Sequence, residues 1–215
     1  CLAPIAFGFL VPVAFLVRLH LAGGDPFFGQ RFLGYAANSL VLAGVATVLV
    51  MAIAFVLGAA QRSAPHGPFS WLVRFSTLGY ALPGTVIAVG VLVPLALFDN
   101  SLDALARTLF GVSTGLLLSG TVIALLFAYL VRFLAVGHGA VESGFERIDR
   151  RFDDVARTLG RGESGVHRDV HVPLLRRPLL AGALVVFVDV MKELPATLIV
   201  RPFDFDTLAV RVYQL

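Results

Sequence analysis

One stretch in the second half of the chain, RRFDDVARTLGRGESGVHRDVHVP from Arg150 to Pro173, decides how the rest is interpreted. It is polar and rich in arginine, whereas long apolar runs lie on either side. Apolar residues recur in it at helical spacing, namely Phe152, Val155, Ala156 and Leu159. Gly160 follows them at the position where a left-handed C-cap is commonest. We therefore predict a short helix from Arg150 to Leu159 that ends at Gly160.

The remainder of this stretch predicts a less regular segment. Gly162 and Gly165 favour a mobile or tightly turned chain, until Pro173 and Pro178 introduce the next apolar run. An ordinary helix and turn between two membrane spans would produce much the same sequence pattern. The local pattern alone therefore leaves open whether this loop has a function.

The composition indicates a membrane protein. Of the 215 residues 58% are hydrophobic and 14% are charged, and the mean hydropathy is +0.87, which excludes an ordinary soluble domain. The formal net charge is +3, but no patch of bases and aromatic residues indicates nucleic-acid binding. The single cysteine, Cys1, can form neither an internal disulfide nor a metal-ligand set. We expect a protein that contacts membrane lipid, binds no nucleic acid and holds no metal.

Five apolar runs approach the length of about 20 residues that a bilayer-crossing helix needs. They are Leu2–Leu19, Ala37–Ala60, Leu78–Phe98, Leu116–Val136 and Leu179–Val200. None shows the alternation of a transmembrane barrel, and helices satisfy their own backbone groups in lipid. The predicted fold class is an all-α polytopic membrane protein.

The arginine distribution predicts which loops are cytoplasmic. Residues 137–177 carry the largest group, namely Arg147, Arg150, Arg151, Arg157, Arg161, Arg168, Arg176 and Arg177. Arg62 and Arg74 lie between the second and third runs. Because basic residues are enriched on the cytoplasmic side, both segments should lie there. The loops around Asp25–Arg31, Asp99–Arg107 and Arg201–Arg211 should lie outside.

Three charged residues, Asp189, Lys192 and Glu193, lie within the fifth apolar run. Each would cost about 2.5–3.5 kcal/mol at the lipid-facing centre of a helix, so they should face protein or water. Asp189 and Lys192 can pair on one helix face, and Glu193 then requires a cation from a neighbouring helix or a proton. Pro195 should kink the helix beside them. These four residues either line or gate a translocation route or fix helix packing through an internal salt bridge.

With these features in place, the chain resembles the inner-membrane permeases of bacterial binding-protein-dependent importers, and among them the ferric iron permeases. The loop of that family has the pattern Glu-Ala-Ala, three residues, Gly, nine residues and Ile-x-Leu-Pro. The corresponding residues here are Asp154, Val155, Ala156, Gly160, Val170, Val172 and Pro173. The finer similarity to iron permeases lies in GYALPGT at 79–85 and MKELPATL at 191–198.

The resemblance implies a type I ABC importer transmembrane domain with a MetI-like core, of which five spans out of six are visible. Residues 1–215 would form a single permease domain, cut at both ends, that is most of the C-terminal half of a two-repeat permease. Residues 137–177 would be the cytoplasmic loop that contacts the ATPase. The implied partners are two cytoplasmic ABC ATPase subunits, a periplasmic substrate-binding protein and the other permease half, in the bacterial inner membrane.

The implied function is ATP-driven import of ferric iron, while permeases for thiamine, phosphonate, sulfate or molybdate share the loop and remain alternatives. A phosphate-binding P-loop requires glycines followed by Lys and Ser or Thr, whereas the only lysine here, Lys192, precedes Glu193. No catalytic constellation indicates an enzyme. ATP and magnesium would therefore bind the partner ATPase, and this chain would hold no cofactor. A secondary transporter driven by protons through Asp189 and Glu193, or a membrane scaffold, is the competing class.

Overall fold

The computed structural model of the protein describes residues 2–23, 30–63 and 69–214, and the structural statements below concern those residues. Within them the chain is helical and contains no strand, so the all-α prediction is confirmed. The α-helices are α1 (Leu2–Ile5), α2 (Val11–Gly23), α3 (Gln30–Ser63), α4 (Phe69–Ser76), α5 (Gly84–Phe110), α6 (Val122–Phe145), α7 (Arg151–Thr158), α8 (Glu163–Val166), α9 (Val172–Met191), α10 (Pro195–Val200) and α11 (Leu208–Gln214). Two π-helical turns, Ala6–Leu10 and His167–His171, and a 3-10 helix, Thr77–Ala81, join neighbouring helices.

Three helices are long and apolar enough to cross a membrane: α3 from Phe32 to Ser63, α5 and α6. They correspond to the second, third and fourth predicted spans. The first predicted span coincides with a shorter apolar helix, Ala3–Leu19. Most of the predicted outer loop at Asp25–Arg31 lies outside the described residues, as does Cys1.

Several predicted span boundaries are wrong, and two of the differences change which segments are loops. α5 continues to Phe110, so Asp99–Arg107 is helical and not a loop. α6 begins at Val122 and not at Leu116, because residues 111–121 form a loop that is bonded to α5. Two aspartates of α5 hold this loop: Asp99 accepts from the N–H groups of Leu118 and Ser119, and Asp103 from those of Thr114 and Gly115. These carboxylates satisfy backbone groups that would otherwise be free, and the sequence gives no direct sign of that.

The core lies where α3, α6 and α9 pack together. Its largest fully buried side chains include Val50, Tyr129, Phe133 and Val186. Lipid tails are as apolar as these side chains, so close packing, and not removal from water, holds such helices together. Gly182 illustrates how close the packing is, because a Cβ at this position would lie 2.6 Å from Cβ of Ala140.

The segment after Gly160 is more regular than the sequence predicts. Helical structure begins at Glu163 and continues across Pro173 and Pro178 into α9, so the predicted mobile or turned segment up to Pro173 is wrong. The π-helical turn at His167–His171 immediately precedes Val172 and Pro173. Such a turn changes the bonding register immediately before Pro173, which has no N–H to donate.

Candidate functional site

The predicted short helix is present as α7. It spans Arg151–Thr158, one residue shorter at each end than predicted. Gly160 has φ +81° and closes the helix, because its N–H donates to the Arg157 carbonyl at 2.9 Å and the N–H of Arg161 donates to the Ala156 carbonyl at 3.0 Å. This pair of bonds is the Schellman arrangement, for which glycine is the favoured residue. The prediction for Gly160 is confirmed.

α7 has two different faces. Phe152, Val155 and the following Leu159 are exposed, at 54%, 57% and 77%. Asp153 and Ala156 are buried. The exposed face is thus a stripe of three large apolar side chains that nothing in the described chain covers. We call Phe152, Val155 and Leu159 the apolar stripe.

The remaining residues of the predicted coupling motif lie apart from this stripe in different settings. The Asp154 side chain is 73% exposed and has only a weak contact with Arg157, 4.0 Å between Oδ1 and Nη1. Val170 is half-buried in the π-helical turn, and Pro173 is exposed at the start of α9. Residues 137–177 as a whole include the last turns of α6 and the first turns of α9, so much of the predicted loop continues the two long helices.

Beneath α7 lies a polar cluster that the sequence analysis missed. Its members are Arg62, Asp153, His167 and His171, which we call the cytoplasmic network after the side of the membrane that the arginine distribution predicts for them. Arg62 Nε donates to Asp153 Oδ2 at 2.8 Å and its Nη2 donates to Oδ1 at 3.3 Å. His171 Nε2 lies 2.9 Å from Asp153 Oδ1, and His167 Nδ1 lies 2.8 Å from His171 Nδ1.

The charges of this network follow from its contacts. Burial alone would raise the pKa of Asp153, but hydrogen bonds from Arg62 and His171 outweigh it and hold that pKa below its usual range. Burial lowers the pKa of His171, against the opposing effect of Asp153, so the imidazole is neutral near pH 7. Its Nε2–H then donates to Asp153, and its Nδ1 accepts from His167.

A second cluster surrounds the charged residues of the fifth predicted span. Its members, which we call the membrane network, are Arg132, Asp189, Lys192 and Glu193. Lys192 Nζ lies 2.8 Å from Asp189 Oδ1, as predicted. Glu193 Oε2 lies 3.0 Å from Nε of Arg132 on α6, which is the second cation that the sequence requires.

Arg132 also joins the membrane network to the start of α5. Its Nη1 donates to the Leu82 carbonyl at 3.1 Å. A Cβ at Gly84 would lie 2.6 Å from Glu193 Oε1 and 3.1 Å from Arg132 Nη1, so a side chain at this position would displace the pair. The signal that could have identified Arg132 is its position as the one charged residue of the fourth predicted span.

The prediction that Pro195 kinks a continuous helix is wrong. Pro195 instead follows a complete break in the helix. α9 ends at Met191, and α10 begins at Pro195. Pro195 occupies the first helical position, where its missing N–H has no consequence. Tyr129 on α6 supports the second helix, since its hydroxyl lies 2.6 Å from Oγ1 of Thr197. The fifth predicted span is therefore divided between two helices.

Metal-ligating residues do not converge anywhere in the described ranges, where no group of three or more His, Cys, Asp or Glu is suitably placed. Asp206, a possible oxygen donor in the predicted outer loop, forms an ion pair with Arg201. The membrane carboxylates Asp189 and Glu193 each already pair with a base.

Comparison with known proteins decides the family. Residues 59–201 match the family described as "Binding-protein-dependent transport system inner membrane component". The chain belongs to this family. As a family member it is part of the inner-membrane component of a binding-protein-dependent transport system. The matched residues contain α7 and both networks.

Individual relatives within this family carry different names. The chain is 26% identical over 211 residues to the Fe(3+)-transport system permease protein FbpB 2 of Haemophilus influenzae, covering 95% of this chain and 38% of that protein. It is 26% identical over 203 residues to the putative 2-aminoethylphosphonate transport system permease protein PhnV of Salmonella typhimurium, covering 94% and 66%. It is 27% identical over 181 residues to the probable molybdenum ABC transporter permease protein HVO_B0370 of Haloferax volcanii, covering 83% and 62%. The chain thus spans between about two fifths and two thirds of the length of these relatives.

Proposed function

We propose that this chain is one half of the permease of an ATP-binding-cassette importer and that α7 is the surface on which a cytoplasmic ATPase docks. The observation that carries the proposal is the apolar stripe of Phe152, Val155 and Leu159, exposed on a short helix outside the long apolar helices. Three large apolar side chains on one face of an otherwise charged helix are typical of a helix that inserts into a groove of a partner. The arginine bias of residues 137–177 supports a cytoplasmic position for this surface.

The proposed assembly contains two permease halves, two ATPase subunits and a periplasmic substrate-binding protein. ATP and magnesium bind on the ATPase subunits, and this chain holds no cofactor. Closure of the ATPase pair on ATP moves α7, and the membrane helices follow as packed units. Asp154, Val155, Ala156, Gly160, Val170 and Pro173 are the coupling residues in this proposal.

The membrane network is the proposed gate. Asp189, Lys192, Glu193 and Pro195 lie at the break between α9 and α10, and broken helices beside charges are where transport pathways are commonly found. Arg132 and the start of α5 close around the same break. A change in the position of α9 relative to α6 would have to separate Glu193 from Arg132, so this ion pair is well placed to hold one state of the pathway closed.

Ferric iron is the first proposed substrate, because 95% of this chain aligns with the Fe(3+)-transport permease. An oxyanion is the second candidate, and one observation favours it. The Lys192 side chain is 71% exposed, while Asp189 and Glu193 are buried and paired with bases. An exposed cation beside neutralised carboxylates suits an anion better than a bare trivalent cation.

The docking proposal is tested by co-purification. The full-length permease would be expressed with its ATPase, and Val155→Asp would place a charge in the apolar stripe without touching buried residues. We expect the ATPase to purify with the wild-type permease and to be lost from the variant. Equal recovery of the ATPase from both would contradict the proposal.

The substrate is tested by uptake in proteoliposomes that contain the permease, its ATPase and its binding protein. Labelled ferric iron, 2-aminoethylphosphonate and molybdate would be supplied separately, each with the other two as competitors. ATP-dependent uptake of iron alone would support the first candidate. Uptake of either oxyanion without iron would replace it with the second.

A further inference from the structure

Two neighbouring carboxylates on α7 have opposite surroundings. The side chain of Asp154, which occupies the motif position, is 73% exposed, whereas that of Asp153 is 11% exposed. The Asp153 carboxylate turns away from the apolar stripe and towards the long helices. The residue that attaches α7 to the rest of the chain is therefore Asp153 and not Asp154.

Arg62 fixes Asp153 from the last turn of α3. Two of its nitrogens donate to the two carboxylate oxygens, and Nη1 donates to the Phe145 carbonyl at 3.0 Å. The guanidinium also lies over the Phe145 ring, 5.6 Å from its centroid. A planar guanidinium with two bonds to one carboxylate sets orientation as well as distance. Arg62 thereby ties α7 to the ends of both α3 and α6.

His171 fixes the same carboxylate from the other side. It belongs to the π-helical turn that leads into α9, and it is 2% exposed. Its Nε2–H donates to Asp153 Oδ1, and its ring packs edge-on against Phe145 with 5.1 Å between centroids. Through Arg62 and His171, this carboxylate links α7 to the ends of α3 and α6 and to the turn that leads into α9.

We infer that Asp153 is the joint through which movement of α7 reaches the membrane helices, with Arg62 and His171 as its positioning partners. This inference rests on the proposed coupling function and adds the residues that transmit the movement. Docking and transmission are separable on α7, because the apolar stripe faces outward and Asp153 faces inward. Loss of the joint should leave the ATPase bound while its movement no longer reaches α3 and α9.

The test uses the full-length permease with its ATPase and binding protein in proteoliposomes. The variants are Arg62→Met, Arg62→Lys, and the double variant Arg62→Met with Asp153→Leu, which removes both charges so that neither is left buried alone. Arg74→Met is the matched control, since Arg74 is an exposed arginine on α4 outside the network. The readouts are ATPase recovery, substrate transported per ATP hydrolysed, and the distance between spin labels at Ser63→Cys and Thr158→Cys in a full-length permease from which all other cysteines have been removed.

We expect Arg62→Met and the double variant to keep the ATPase and to transport about tenfold less substrate per ATP, a change within the range for residues of coupled networks. Arg62→Lys should lie between them and the wild type, because it keeps the charge but not the paired bonds. The distribution of distances between the two labels should be narrow and independent of ATP in the wild type. It should be broad in the double variant. Arg74→Met should match the wild type.

Two results would overturn the inference. Wild-type transport per ATP in the double variant would show that Asp153 transmits nothing. Loss of the ATPase from a folded double variant would show that the network only presents the docking surface. Failure of the wild-type permease itself to bind an ATPase would instead overturn the proposed function on which the inference rests.

Discussion

Both networks contain a buried arginine–carboxylate pair, but the sequence around the carboxylate is apolar in one and polar in the other. In each, an arginine from a long helix pairs with a carboxylate from an interrupted or short one: Arg132 with Glu193, and Arg62 with Asp153. Glu193 lies in an apolar run, where an unpaired charge is costly, so the sequence predicts a partner for it. Asp153 lies among arginines and other acids, so the sequence gives no indication that it is buried and paired. The comparison teaches that a buried ion pair is visible in a sequence only when its surroundings are apolar.

The largest expected effect comes from breaking the membrane pair. Arg132→Met leaves the Glu193 carboxylate buried without its cation, which should lower the free energy of unfolding by about 3–5 kcal/mol. Thermal unfolding in detergent would measure it. The double variant Arg132→Met with Glu193→Met should recover most of the loss, because it removes both charges together. Equal destabilisation by the single and double variants would show that shape, and not charge, makes Arg132 important.

The sequence predicted the fold class and failed on its details for identifiable reasons. Apolar runs located α3, α5 and α6 because length and hydropathy suffice for that. The start of α6 at Val122 was missed, since Asp99 and Asp103 fasten the preceding loop through contacts that no local pattern encodes. The break at Pro195 was read as a kink, because a proline can begin a helix as well as bend one.

The candidate site was predicted unevenly for a related reason. Gly160 was found because a positive φ favours one residue type, and Lys192 with Asp189 because their spacing puts them on one helical face. Arg62 and His171 were missed, since each reaches Asp153 from a distant part of the chain. Tertiary contacts of this kind leave no periodicity to detect.

A smaller effect separates the outer face of α7 from the cytoplasmic network beneath it. Phe152→Ala should weaken ATPase binding by about 2 kcal/mol, the cost of truncating a large side chain central to an interface. The free energy of unfolding should be almost unaffected, because the Phe152 side chain is already 54% exposed. Binding of the purified ATPase to the reconstituted permease would measure the effect. Phe203→Ala is the control, since Phe203 is 98% exposed in the predicted outer loop, and equal weakening by both variants would contradict a specific surface.

The end of α7 offers a milder way to disturb the cytoplasmic side. Gly160→Ala should cost about 1–2 kcal/mol, because a side chain disfavours φ +81° even though no atom lies within 4 Å of its Cβ. Gly165→Ala should be close to neutral, since Gly165 is helical and has no positive φ. Protease cleavage of the 151–171 segment at native conditions would report the difference. An equal response of the two variants would argue against the left-handed cap.

The smallest effect exploits His171, because the cytoplasmic network contains histidines and the membrane network does not. Burial lowers the pKa of His171 in the folded protein, so the unfolded chain binds the proton more readily. The stability from neutral His171 is therefore complete above about pH 6.5, its ordinary pKa, and decreases as pH falls below it. Between pH 7.5 and 5.5 we expect the free energy of unfolding to fall by about 1 kcal/mol or less. Thermal unfolding at each pH would measure this change. His171→Asn should flatten this dependence, whereas an unchanged slope would assign it to other groups.

We propose that ATP hydrolysis by the partner ATPase drives transport through the membrane helices by way of α7. The most direct measurement is solute uptake by proteoliposomes that contain the full-length permease with its ATPase and binding protein, energised either by ATP or by a proton gradient alone. The account predicts uptake with ATP, no uptake with the gradient, and loss of the ATP-driven uptake in Val155→Asp. Uptake that follows the proton gradient and is indifferent to Val155→Asp would contradict it.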